Sequence, residues 1–136
     1  MILVDLNVVL DVVQKREPHY AASAALLERI VHKEVVGVVS GHAVTTLHYL
    51  VDRYRDAASA DQMVDWLLRY FDVAPIGFRE LSRARALAWP DFEDAVVAAA
   101  AEASGCNAIV TRNVKDFGNS PIPVVTPEEY LLSNLG

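Results

Sequence analysis

Three carboxylates stand where an alternating α/β chain would bring them together. Asp5 follows the apolar run Ile2-Leu3-Val4, Asp94 opens an alanine-rich stretch, and Asp116 ends a polar segment that follows Ala108-Ile109-Val110. Asp91 lies three residues before Asp94, so the two share a helix face, and Glu93 is expected to point elsewhere. Carboxylates that converge without cationic partners repel one another, and a divalent cation resolves that repulsion. Oxygen donors of this kind suit Mg²⁺ or Mn²⁺, and the chain offers no Cys/His spacing for zinc. A structural use for the same acids is also open. Carboxylates in a first helical turn favour the helix dipole by about 0.3–1 kcal/mol each, and Asp91 is a good N-cap.

The surrounding pattern decides whether these acids can meet. Short apolar runs alternate with amphipathic stretches along the whole chain. Strands are expected at 1–4, 35–39, 73–76, 108–110 and 121–125, with Pro75 marking an edge strand or a strand end. Helices are expected at 6–14, 20–32, 41–54 with Ser40 as a possible cap, 60–70 after a turn at 56–59, 78–88, 92–103, and from Thr126-Pro127-Glu128-Glu129 onward. Between Ala95 and Ala103 only Glu102 is charged, so most of that helix should be buried and its acidic first turn held by the core. Such alternation predicts an α/β fold, an open and mostly parallel sheet with helices on both faces. Ligands bind such sheets outside the carboxyl ends of the strands. Asp5 and Asp116 fall at that edge, and the N-terminus of the helix carrying Asp94 faces it.

Composition narrows the class. A chain of 136 residues is expected to form one domain over 1–136, and 53% hydrophobic with 22% charged residues excludes a disordered chain. No apolar run approaches the ~20 residues needed to span a bilayer. The start shows no basic or long apolar leader, so a cytoplasmic protein is expected, and the one cysteine, Cys106, fits a reducing compartment as a small buried hydrophobe. A net charge of -6 argues against nucleic-acid binding by bulk charge, but metal-holding carboxylates would themselves add to that count.

With these residues located, the chain resembles the PIN-domain family, and within it the VapC-type toxins of bacterial toxin–antitoxin pairs. The marks are Val4-Asp5-Leu6-Asn7-Val8-Val9-Leu10-Asp11, Asp94-Ala95, and Thr111-Arg112-Asn113-Val114-Lys115-Asp116-Phe117, in this order and at these separations. The resemblance implies a PIN-like three-layer fold and a Mg²⁺-dependent ribonuclease whose metal is held by Asp5, Asp94 and Asp116. It implies supporting hydrogen bonds from Asn7 and Thr111, a homodimer, and an antitoxin partner that blocks the site. Phosphodiester hydrolysis needs cations for the RNA phosphates, and Arg112 and Lys115, which flank the acids, are the first candidates. Asn113 belongs to the same supporting loop.

One departure matters. Many family members carry a glutamate early in the helix after the second strand, and Thr46 stands there instead. Thr46 can bond a metal-bound water but cannot neutralise charge, and Asp91 is a further candidate ligand. His42 and His48 read as ordinary helix residues. Two rivals remain: a PIN-like module that binds RNA or protein without cleaving it, and a phosphoryl-transfer domain with Asp5 as nucleophile. Against the second, Asn7 stands where a dehalogenase-like phosphatase has its second aspartate.

Overall fold

A computed structural model of the chain describes residues 1–133. Its centre is a five-stranded sheet in the order β3-β2-β1-β4-β5, with every neighbouring pair parallel. The strands are β1 (Ile2–Val4), β2 (Gly37–Ser40), β3 (Asp72–Ala74), β4 (Ala108–Val110) and β5 (Val124–Val125). Between them run α1 (Leu6–Val13), α2 (Tyr20–Val31), α3 (Gly41–Tyr54), α4 (Ala57–Tyr70), α5 (Phe78–Leu87) and α6 (Phe92–Ala103), with α7 (Pro127–Ser133) last. Among the described residues no helix is long and apolar enough to cross a membrane.

Side chains of the central strand alternate between two apolar layers, as a strand's period of two requires. Ile2 and Val4 pack with Val8, Leu26, Ile30, Leu47 and Leu67 beneath α1–α4. Leu3 points the other way and packs with Val38, Val97, Ala98, Ala101 and Ile109 beneath α6. Every residue from Ala95 to Ala101 is buried. That run is mostly alanine, and small side chains let α6 lie close to the sheet. Cys106 is buried and free in the same layer, where burial pushes its thiol pKa up.

Several boundaries depart from the sequence reading. The expected turn at 56–59 is the start of α4, with Asp56 as N-cap accepting from Ser59 N–H at 2.7 Å. β2 begins at Gly37 because register pairs Gly37 with Ile2. A Cβ on Gly37 would meet Ile30 Cδ1 at 2.7 Å and Phe71 Cε2 at 2.9 Å, so glycine is what admits the strand there. β3 ends before Pro75 and does lie at the sheet edge. β5 shrinks to two residues because Pro121 and Pro123 bring no N–H to a ladder. Ser40 occupies the N-cap of α3 without capping it: its hydroxyl is buried and, among the described residues, without a hydrogen-bond partner.

The sheet order fixes where a ligand belongs. From β1 the chain moves outward through β2 to β3, then crosses back to place β4 on the other side of β1. The switch point is therefore the crevice between the carboxyl ends of β1 and β4.

Candidate functional site

Asp5 is the first residue after β1 and the N-cap of α1. Its Oδ1 accepts from Leu6 N–H at 2.8 Å and its Oδ2 from the Thr111 hydroxyl at 2.8 Å. Thr111, fully buried, stands just past β4, directly across the switch point. Its hydroxyl donates to Asp5 and accepts from Asn7 Nδ2 at 3.3 Å and from Asn113 N–H at 3.1 Å, the full capacity of one hydroxyl. Asn7 Oδ1 in turn accepts from Arg112 N–H at 3.5 Å, and the Asn113 carbonyl accepts from Asp116 N–H at 3.0 Å. The loop after β4 is thus stitched to the first turns of α1, and a short 3₁₀ turn at Val114–Phe117 delivers Asp116.

Asp94 reaches the same place from the other layer. Asp91 caps α6, its Oδ1 accepting from Asp94 N–H at 3.1 Å. Trp89, just before that cap, meets Phe117, just after Asp116, edge to face with centroids 5.7 Å apart. This aromatic contact ties the approach to α6 to the loop carrying Asp116. The result shows in the electrostatics. Burial first, then the negative charges of Asp91, Asp5, Asp116 and Glu93, push the Asp94 carboxyl up to about 7. Burial also raises Asp5, partly offset by its two hydrogen bonds, with Glu93 adding to the rise and His42 opposing it.

Glu93 is exposed, in keeping with its place on the helical wheel away from Asp91 and Asp94. It lies close enough for its charge to act on both Asp5 and Asp94. His42 is the other residue that sequence reasoning missed. It lies near enough to Asp5 to oppose the rise of that carboxyl, and among the described residues its buried Nδ1 has no hydrogen-bond partner. Its position two residues past β2, at the same strand edge, was the available signal. His48 sits outside the site in a 2.8 Å pair with Asp61. Thr46 lies one turn beyond His42 on the same face of α3, and its hydroxyl donates to the His42 carbonyl at 3.1 Å. Lys115 is exposed beside Asp116. Arg112 is engaged on one side: its Nε lies 3.0 Å from Oδ2 of the buried Asp11.

The acids share a field, yet among the described residues no three His, Cys, Asp or Glu side chains stand close enough to hold one metal ion. The donor set still suits a hard divalent cation. It consists of carboxylate oxygens, and burial together with its acidic neighbours lifts the Asp94 carboxyl to about 7. Asp94 and Asp116 would have to turn toward Asp5 to ligate together. A cavity of about 700 Å³ lies elsewhere: an apolar groove between α1, α2, α3 and α4 lined by Val9, Val13, Leu27, Val31, Met63 and Trp66.

A family model described as PIN domain matches residues 1–115. The chain belongs to the PIN domain family. Solved structures agree on the PIN fold. A toxin–antitoxin complex from Klebsiella pneumoniae is similar at 22% identity and TM-score 0.71, covering 93% of this chain and 98% of that one. VapBC2 from Rickettsia felis, solved with a DNA fragment from its promoter, is 19% identical with TM-score 0.71, covering 92% and 97%. VapC20 of Mycobacterium tuberculosis, a sarcin–ricin loop cleaving toxin, is 16% identical with TM-score 0.66, covering 80% and 87%. No curated protein matches the chain. In this PIN domain the acids stand at the β1/β4 switch point, the position the parallel sheet reserves for a ligand.

Proposed function

We propose that this PIN domain is a divalent-metal-dependent endoribonuclease, the toxin of a type II toxin–antitoxin pair, acting in the cytoplasm as one catalytic domain over 1–136. The observation that carries the reading is the meeting of acids at the β1/β4 switch point of a PIN domain, where burial and four neighbouring acids push the Asp94 carboxyl up to about 7. An N-cap or dipole role would lower a carboxylate's pKa, not raise it.

In this reading Asp5, Asp94 and Asp116 hold Mg²⁺ or Mn²⁺, with Asp91 in reach as a further acid. When bound, the metal supplies an activated water and neutralises charge on the phosphate oxygens. The protein's own groups do the positioning. Thr111, backed by Asn7 and the Asn113 backbone, fixes the Asp5 carboxylate in one orientation. Thr46 lines the approach where an acid is missing. Arg112 and Lys115 contact RNA phosphates at the mouth. The toxin–antitoxin complexes among the similar structures support an antitoxin partner, and the apolar groove of α1–α4 offers it a surface. A homodimer is part of the same proposal.

The test is cleavage of RNA by the purified protein with Mg²⁺, with Mn²⁺ and with chelator. Cleavage that needs metal and disappears in Asp5→Asn is expected. The absence of a fourth acid at Thr46 favours a second reading, a PIN-like module that binds RNA or protein without cutting. RNA binding by the wild type with no cleavage at millimolar Mn²⁺ would select it.

A further inference from the structure

Asn7 and Asp11 stand one helical turn apart on the same face of α1, and both reach Arg112. Asn7 takes the Arg112 backbone, and Asp11 takes its side chain, Oδ2 to Nε at 3.0 Å. The Nε–H is not aimed well enough for a hydrogen bond, so charge and packing make the tie. The Asp11 side chain has 0% exposure. A carboxylate so buried persists only where a cation neutralises it. Its other neighbours are Ser23, whose hydroxyl donates at 3.4 Å, and Arg16, whose Nη1 is 4.0 Å away. The proposed cleavage gives Asp11 no task.

Arg112 is 24% exposed and lines a cavity of about 530 Å³ together with Lys115, Asp116 and Glu129. Glu129 is occupied there, its Oε1 accepting from Thr126 N–H at 2.9 Å. Among the described residues the terminal nitrogens of Arg112 make no hydrogen bond, while its Nε edge faces Asp11. A guanidinium held along one edge keeps its other end free and oriented, the arrangement that grips a phosphate with two donors. We propose that Asp11 is a positioning residue that fixes Arg112 as a clamp for one RNA phosphate beside Asp116. This rests on RNA being the substrate, as proposed above. Holding the side chain in advance removes the ordering cost that a free arginine meets on binding.

The test uses the full chain and a fluorescent single-stranded oligoribonucleotide, with binding read by anisotropy in chelator across a salt series. Asp11→Asn and Arg112→Met should each weaken binding about tenfold and flatten the salt dependence by roughly 0.7, one phosphate contact on a single strand. The double variant should bind no worse than Arg112→Met alone. Arg112→Lys should keep the salt slope and recover only part of the affinity, since a point charge replaces the fork. Melting scans report whether each variant folds. If Asp11→Asn does not, Asp11→Glu, which keeps the charge but shifts Arg112 by a methylene, should fold and bind more weakly. Wild-type binding in a folded Asp11 variant, or additive losses in the double variant, overturns the proposal. So does a wild type that fails to bind RNA. A wild type that binds but never cleaves with Mn²⁺ overturns the nuclease reading alone and leaves the clamp standing.

Discussion

Asp94 titrates near 7 in the folded chain against an ordinary 3.8, so the native state holds a proton that the unfolded chain releases. Stability in the metal-free protein is therefore greatest at low pH and declines as pH rises from about 4 toward 7. Asp5 shifts in the same direction and adds to the slope. Melting scans in chelator should show a midpoint a few degrees lower at pH 8 than at pH 5. Asp94→Asn should remove much of that difference and leave the metal-free protein at least as stable as wild type at pH 8. A large loss of stability in Asp94→Asn would mean that the acid serves the helix and not a ligand. At Thr46, shared placement with His42 puts the side chain on the site's flank of α3. Thr46→Glu is expected to tighten Mn²⁺ binding, measured by calorimetry, about tenfold, the effect of ~1.4 kcal/mol from one added ligand. Unchanged affinity would show that the vacancy at 46 lies outside the metal's reach.

Identifiable contacts join the elements that carry the acids. The loop after β4 and the start of α6 come from different layers, and the Trp89–Phe117 pair joins them. Phe117 is buried, so Phe117→Ala should cost about 3–5 kcal/mol in chemical denaturation. The consequence for the site is separate: with that contact gone, Asp116 should drift from Asp94, and the Asp94 pKa, followed by NMR, should fall toward its ordinary value. A variant that loses stability but keeps Asp94 near 7 would show that α6 alone sets the cluster. At the other wall, Thr111 spends its whole hydrogen-bonding capacity on α1 and its own loop. Thr111→Val conserves shape but leaves Asp5 without one partner inside the protein. The Asp5 pKa should rise further, since the Thr111 bond is the largest influence holding it down. Metal binding should weaken with it.

Across the whole molecule, a net charge of -6 concentrates part of its excess in one crevice. A basic partner segment would be drawn there before contact. A guanidinium placed among Asp5, Asp94 and Asp116 would satisfy the same field that a metal satisfies. The expected outcome is competition: titration with the protein encoded beside this gene should give weaker apparent affinity at millimolar Mn²⁺ than in chelator. Changing that partner's arginines should abolish the difference. Equal affinity at both metal levels would exclude inhibition through the acid cluster while leaving the nuclease assignment standing. Mn²⁺ alone should raise the melting temperature by mass action.

The order of elements was legible in the sequence because local patterns dictate it: apolar triplets for buried strands, Asp91 and Gly105 as punctuation around α6, and the Thr126–Glu129 capping box before α7. So was the placement of Asp5 after a strand, Asp94 in a first helical turn and Asp116 in the loop after β4. The tertiary structure decided what local patterns do not encode. Strand order put β4 beside β1 and so set Thr111 against Asp5, across 106 residues of chain. The shared edge brought Glu93 and His42 within electrostatic range of Asp5. A buried Asp11 claimed Arg112, because an unpaired carboxylate in the core costs more than an unpaired arginine at the surface. Pairings of this kind depend on distances between layers, and those follow from packing and not from spacing along the chain.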